Sequence, residues 1–116
     1  GHLIGDRVLT HVIKSIRNIL TEGEIVGRIG GDEFVVFMGY IDDDCAIMRK
    51  ADDLIRALNT TYIGENCEIP ISGSVGIAVY PEDGIHYEQL IQCADRALYQ
   101  VKNKGKNNYM VYQSII

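Results

Sequence analysis

Four consecutive residues, Gly30, Gly31, Asp32 and Glu33, stand between two apolar runs, Ile25 to Ile29 and Phe34 to Met38. Apolar runs joined by so short a segment predict a β-hairpin with these four residues at its turn. The paired glycines tolerate the positive φ of tight turns and, lacking side chains, let a ligand come close to the backbone. The carboxylates carry the chemistry. Two like charges side by side are a poor way to begin a strand, and hard oxygen donors of this kind suit a divalent cation. On its own the tetrapeptide reads equally well as a solvated acidic turn. Two other places hold residues that can act on a ligand. Lys102, Lys104 and Lys106 crowd the end of the last apolar-periodic stretch, where cations suit the negative end of a helix whatever else they do. Asp6 follows Gly5 ahead of the apolar pair Val8 and Leu9, where it reads as an N-cap or as a ligand contact.

The string Arg28-Ile29-Gly30-Gly31-Asp32-Glu33-Phe34 resembles the signature of the GGDEF family, diguanylate cyclases that join two GTP molecules into cyclic dimeric GMP (cyclic di-GMP). Two further stretches carry the likeness. Gly1-His2-Leu3-Ile4-Gly5-Asp6-Arg7-Val8-Leu9 is similar to the family's G-H-x-x-G-D-x-V-L segment, and Ala94-Asp95-Arg96-Ala97-Leu98-Tyr99-Gln100-Val101-Lys102 to its A-D-x-A-L-Y-x-A-K helix. The three motifs reach from residue 1 to about Asn108, so the likeness spans nearly the whole chain.

The resemblance implies phosphoryl transfer, in which the 3′-hydroxyl of one GTP attacks the α-phosphate of another and pyrophosphate leaves. Two divalent ions, Mg²⁺ or alternatively Mn²⁺, would neutralise the developing charge. It implies Asp32 as metal ligand and catalytic residue, with Glu33 beside it as ligand or proton acceptor. Gly30 and Gly31 would let the nucleotide approach the turn. Asp6 would hydrogen-bond the guanine base, Leu9 would pack on it, and Lys102 and Lys106 would hold the phosphates. Lys106 stands where the family more often has arginine and offers a point charge in place of a planar fork. One domain holds one GTP, so the implied working form is a homodimer, with regulatory or sensory domains elsewhere in the parent protein. The alternative within the family is a degenerate GTP-binding domain that regulates an attached EAL-type phosphodiesterase or other partner. An intact Gly-Gly-Asp-Glu-Phe favours catalysis.

The implied fold is α+β, a ferredoxin-like or palm-type antiparallel sheet with helices packed on it. Residues 1–116 read as a single such domain lacking its first strand, because the family's D-x-D-x-F and F-K-x-I-N-D segments lie upstream of the Gly-His that begins this chain. A two-ion site without those residues leads to the expectation that the segment alone is inactive. Many family members also carry an R-x-x-D feedback site before the hairpin. Here Thr21 takes the arginine's place and Glu24 the aspartate's. A carboxylate without a cationic partner is a poor phosphate site, so residues 21–24 read as an ordinary helix-to-strand loop.

The elements that must position these residues follow from periodicity. Val8, Leu9, Val12, Ile13, Ile16, Ile19 and Leu20 recur at helical spacing and predict a helix from about Asp6 to Leu20. Asp42, Asp43 and Asp44 open a second helix with Ala46, Ile47, Ala51, Leu54, Ile55 and Leu58 inward; acids in a first turn cap free amides, which outweighs a metal reading. Alternation from Ile71 to Tyr80 predicts a strand whose small residues, Gly76 among them, suit a closely packed helix. A third helix runs from about Tyr87 to Lys104, closed by Gly105, and Tyr109 to Gln113 forms a final strand.

Composition sets the outer limits. A length of 116 residues with 47% hydrophobic content supports one core, and a net charge of −5 argues against a nucleic-acid surface. No apolar run has the length of a membrane span, which predicts a cytoplasmic domain without membrane contact of its own, compatible with an anchor elsewhere in the parent. Cys45, Cys67 and Cys93 are odd in number and without C-x-x-C spacing, which supports neither a disulfide framework nor a zinc site.

Overall fold

The first apolar stripe forms helix α1, His2–Arg17, in a computed structural model that describes residues 2–30, 33–39, 43–105 and 108–112. The helix begins one turn earlier than the boundary signals suggest. Gly5 and Asp6 look like a helix start, yet Ile4 extends the i, i+4 stripe through Val8 and Val12, so both residues lie inside the helix. Lys14 and Arg17 occupy its last turn and complement the negative helix end. Tighter turns follow, with the amides of Ile19 and Leu20 donating to the carbonyls of Ile16 and Arg17, and Gly23 at φ 87° completes the reversal toward the first strand.

The remaining elements are β1 (Ile25–Gly30), β2 (Glu33–Phe37), α2 (Asp44–Leu58), β3 (Thr60–Ile63), β4 (Glu68–Ile71), β5 (Val75–Ile77), α3 (Tyr87–Asn103) and β6 (Tyr109–Val111). They fall into two compact units, Gly1–Ile71 and Ser72–Ile116. Among the described residues the strands form three two-stranded ladders, β1–β2, β3–β4 and β5–β6.

In the first unit α1 packs on α2, β1 and β3. Its core is made by Val12 and Ile16 from α1 with Ile47, Ala51 and Leu54 from α2, each set spaced to fall on one helix face. The N-cap of α2 is Asp43, whose Oδ1 accepts from the Ala46 amide at 2.8 Å, so this acid does the capping work expected of it. Asp42 lies outside the described residues. The β3–β4 hairpin was not apparent in the sequence. Each of its strands is only four residues long, and β4 contains Pro70, which has no amide to give to a ladder. The expected strand from Ile71 to Tyr80 is accordingly divided, with Ile71 closing β4 and only Val75–Ile77 forming β5.

In the second unit β5 and β6 run parallel, with Val75, Gly76 and Ile77 opposite Tyr109, Met110 and Val111. The other two ladders are antiparallel, β1–β2 as its sequence predicts. This one is parallel because α3 carries the chain back across the strand before β6 begins, the βαβ connection. α3 lies directly on β5: a Cβ placed on Gly76 would come within 2.1 Å of the Ala94 carbonyl oxygen and 2.5 Å of the Leu98 nitrogen. Ala97 and Val101, fully buried, complete that contact layer. Glycine at 76 therefore serves close packing. At its start α3 is pinned by Gln89, whose Oε1 accepts from the amides of Ile85 and His86 at 2.9 and 3.2 Å. At its end Lys104 caps and Gly105, at φ 110°, turns the chain out of the helix.

Candidate functional site

The β1–β2 hairpin forms as its sequence requires. Ile25 pairs with Phe37, Val26 with Val36, Gly27 with Val35 and Arg28 with Phe34. A register slip between Arg28 and Gly30 then sets Gly30 opposite Glu33, the kind of irregularity that re-aims a strand end. Gly31 and Asp32 lie outside the described residues, as does Lys106. Glu33 opens β2 with its side chain exposed. Among the described residues no three His, Cys, Asp or Glu side chains gather into a metal-binding group.

Asp6 sits in the second turn of α1, exposed. The N-cap reading does not hold, because helical residues precede it, and its backbone carbonyl accepts from the Thr10 hydroxyl at 2.9 Å within the helix. Its carboxylate is thus left for other work. Leu9, three residues on, is half-buried. Asp6 also borders a shallow groove of about 340 Å³ with Arg7, Thr10, His11, Lys14 and Tyr62. There His11 Nε2 lies 3.2 Å from Thr60 Oγ1, and its ring meets Tyr62 edge-on with centroids 5.9 Å apart, which ties α1 to β3. In the second unit, Lys102 stands exposed in the last turn of α3.

Residues 21–24 are more than a passive connection. The Glu24 side chain is 4% exposed and accepts from Thr21, Gly39 and Lys50. Oε1 accepts from the Thr21 amide at 2.9 Å, while Oε2 accepts from the Gly39 amide at 3.0 Å and from Lys50 Nζ at 2.5 Å. The missing cationic partner is therefore Lys50 of α2, 26 residues away in sequence and invisible to local pattern. Burial pushes the Glu24 carboxyl up, but the Lys50 ammonium and the Thr21 and Gly39 amides together outweigh it and hold the group at about 2, against an ordinary 4.5.

A pH dependence of stability follows. A depressed folded-state value contributes stability that is present above the unfolded value of 4.5 and is lost as pH falls toward about 2. At about 1.4 kcal/mol per tenfold change, the contribution at neutral pH is on the order of 3 kcal/mol. Urea unfolding of the wild type and of Glu24→Gln should show a stability gap of that order from pH 7 to 5 that narrows steadily between pH 4.5 and 2. A gap independent of pH would mean that the ionised carboxylate is not what the fold uses.

The family pattern described as diguanylate cyclase, GGDEF domain, matches residues 1–108. The chain is 36% identical over 115 residues to the bifunctional diguanylate cyclase/cyclic di-GMP phosphodiesterase MucR of Pseudomonas aeruginosa, covering 98% of this chain and 16% of that protein. It is 32% identical over 109 residues to the diguanylate cyclase TpbB of the same species, covering 93% of this chain and 25% of TpbB. The cyclic di-GMP phosphodiesterase NbdA, also from P. aeruginosa, is 34% identical over 93% of this chain and 14% of its own length. This chain thus spans a minor part of each relative. Among solved structures, the TpbB GGDEF domain superposes with a TM-score of 0.88 at 31% identity, covering 96% of this chain and 70% of that one. An EAL/GGDEF domain protein from M. capsulatus superposes with a TM-score of 0.85 at 36% identity, covering 97% and 72%.

Proposed function

The chain belongs to the GGDEF domain family of diguanylate cyclases, and on that premise we propose that the protein condenses two GTP molecules into cyclic di-GMP with release of pyrophosphate. The observation that supports the proposal is the intact Gly-Gly-Asp-Glu sequence, whose outer residues Gly30 and Glu33 pair where β1 meets β2. The donor set fits a divalent ion: carboxylate oxygens are hard ligands, and Glu33 is exposed. Asp32 and Glu33 would hold Mg²⁺, or Mn²⁺ in its place. Such an ion, when bound, supplies charge neutralisation at the phosphates and acidifies the attacking hydroxyl.

The chain's own residues have separate tasks. Gly30 and Gly31 present backbone without side chains, so phosphate oxygens can approach closely. Asp6, exposed and not engaged in capping, accepts hydrogen bonds from a guanine edge, and Leu9 gives the base an apolar contact. Lys102 and Lys106 offset phosphate charge as point charges, with little directional preference. Glu33, beside Asp32, would serve as a metal ligand or accept the proton of the attacking 3′-hydroxyl. Each domain carries one nucleotide, so the reaction needs two domains facing each other, and the working form is a homodimer.

Incubating the full-length protein with GTP and Mg²⁺ and separating the nucleotides by chromatography tests this directly. The expected product is cyclic di-GMP. A second reading is supported by the relation to NbdA and MucR: a GTP-binding domain that regulates an attached phosphodiesterase. GTP recovered intact while it changes the rate of cyclic di-GMP hydrolysis would favour that reading. Sensory or regulatory partner domains fit either one. Among the described residues no helix is long and apolar enough to cross a membrane, and we place the domain in the cytoplasm, where GTP is available.

A further inference from the structure

We propose that Glu24 is a positioning residue that sets the angle of the β1–β2 hairpin and thereby aims its tip, a role that rests on reading that tip as the metal- and GTP-handling site. Glu24 immediately precedes β1, and Gly39 follows β2 by two residues, so one carboxylate grips both feet of the hairpin. Its two oxygens divide the work. Oε1 ties the entering chain through the Thr21 amide, and Oε2 ties the departing chain through Gly39 and the whole hairpin to α2 through Lys50. α2 is in turn packed on α1, the helix that carries Asp6 and Leu9. The hairpin foot is thus referenced to the same helix pair as the proposed base-binding residues.

The mechanical consequence is leverage. β1 is six residues long. At about 3.4 Å per residue it makes an arm of about 20 Å, so a hinge of about 5° at the foot carries the tip through roughly 1.7 Å. Misplacement of reacting groups by about 1 Å is enough to cost about a hundredfold in rate. A short strand pair with half-buried faces has little packing of its own to resist such a hinge. The ion-paired carboxylate at its foot supplies that resistance.

The test compares wild type, Glu24→Gln and Lys50→Met in the full-length protein, well below their melting temperatures, with Lys50→Arg as the conservative control. Glutamine keeps the shape of the side chain but turns one acceptor into a donor and removes the charge. Lys50→Met removes one donor only and remains available should Glu24→Gln fold poorly. Hydrogen exchange is expected to quicken by about tenfold or more at the amides of residues 26–28 and 34–37, while α3 keeps its protection. Turnover is expected to fall by about ten- to a hundredfold with KM for GTP little changed, because the binding groups stay in place while their aim is lost. Lys50→Arg should restore both. Hairpin exchange equal to wild type, or protection lost evenly across the protein, would overturn the proposal, as would normal turnover in a protein whose hairpin has loosened. Should the wild-type protein make no cyclic di-GMP, the functional reading fails separately, and the exchange pattern alone upholds or overturns the hold of Glu24 on the hairpin.

Discussion

Asp32→Ala in the full-length protein should lower cyclic di-GMP synthesis by about a thousandfold or more, which corresponds to losing about 4 kcal/mol of transition-state stabilisation. A carboxylate that holds a divalent ion acts on the charge that develops at the phosphates, so its removal falls on turnover and not only on substrate affinity. Stability should hardly change. The ladder pairs on both sides, Gly30 with Glu33 and Arg28 with Phe34, are made by other residues, and the core of Val12, Ile16, Ile47, Ala51 and Leu54 lies in the helices. The measurement is product formed from radiolabelled GTP, with thermal melting alongside. Synthesis near the wild-type level would refute the assignment of Asp32, whereas a fall in activity accompanied by unfolding would show that the turn is needed for the fold.

The second large effect concerns the other unit. Gly76→Ala should destabilise the protein by about 3 kcal/mol or more, at the upper end of overpacking penalties, with a fall in melting temperature of roughly 10 to 20 °C. The added methyl would meet the backbone oxygen of Ala94 and the backbone nitrogen of Leu98, at 2.1 and 2.5 Å. Side chains can rotate out of the way; the backbone of α3 cannot. Either β5 lifts away from the helix or the helix moves, and both β5 and β6 are only three residues long, with few ladder bonds to hold them through such a shift. A loss under about 1 kcal/mol in urea unfolding would mean that the contact between β5 and α3 is looser than described.

Gly76 also illustrates how far the sequence could be read. Its place among small residues on one strand face was enough to foretell a close helix, because only glycine lets two backbones approach so far. The pairing of β1 with β2 was legible because two apolar runs separated by so short a segment have little alternative to an antiparallel hairpin. Asp43 before an apolar-periodic stretch declared the start of α2, and Gly105 after the lysines declared the end of α3. Local signals misled at Gly5-Asp6, where two residues typical of a helix boundary lie inside α1 because the apolar stripe continues through Ile4. They were too weak at Thr60–Ile63 and Glu68–Ile71, where four-residue strands derive their stability from pairing with each other. They were silent at Glu24. Nothing near that residue shows that its partners are Gly39 and Lys50, since the hairpin itself must fold before those groups come together. Of the elements around the proposed site, the paired strands β1 and β2 could be read directly, and the buried carboxylate that braces the hairpin could not.

The ion at the hairpin tip is the claim on which the functional reading depends, and Mn²⁺ can locate it. Adding substoichiometric Mn²⁺ with GTP to the isotope-labelled protein broadens the amide resonances nearest the bound ion. Broadening centred on Gly30, Glu33 and Phe34 in the wild type, and lost in Asp32→Ala, is the result predicted by a metal-holding Gly-Gly-Asp-Glu turn. Broadening centred on Asp43 and Asp44 at the start of α2, with the hairpin tip unaffected, would contradict it.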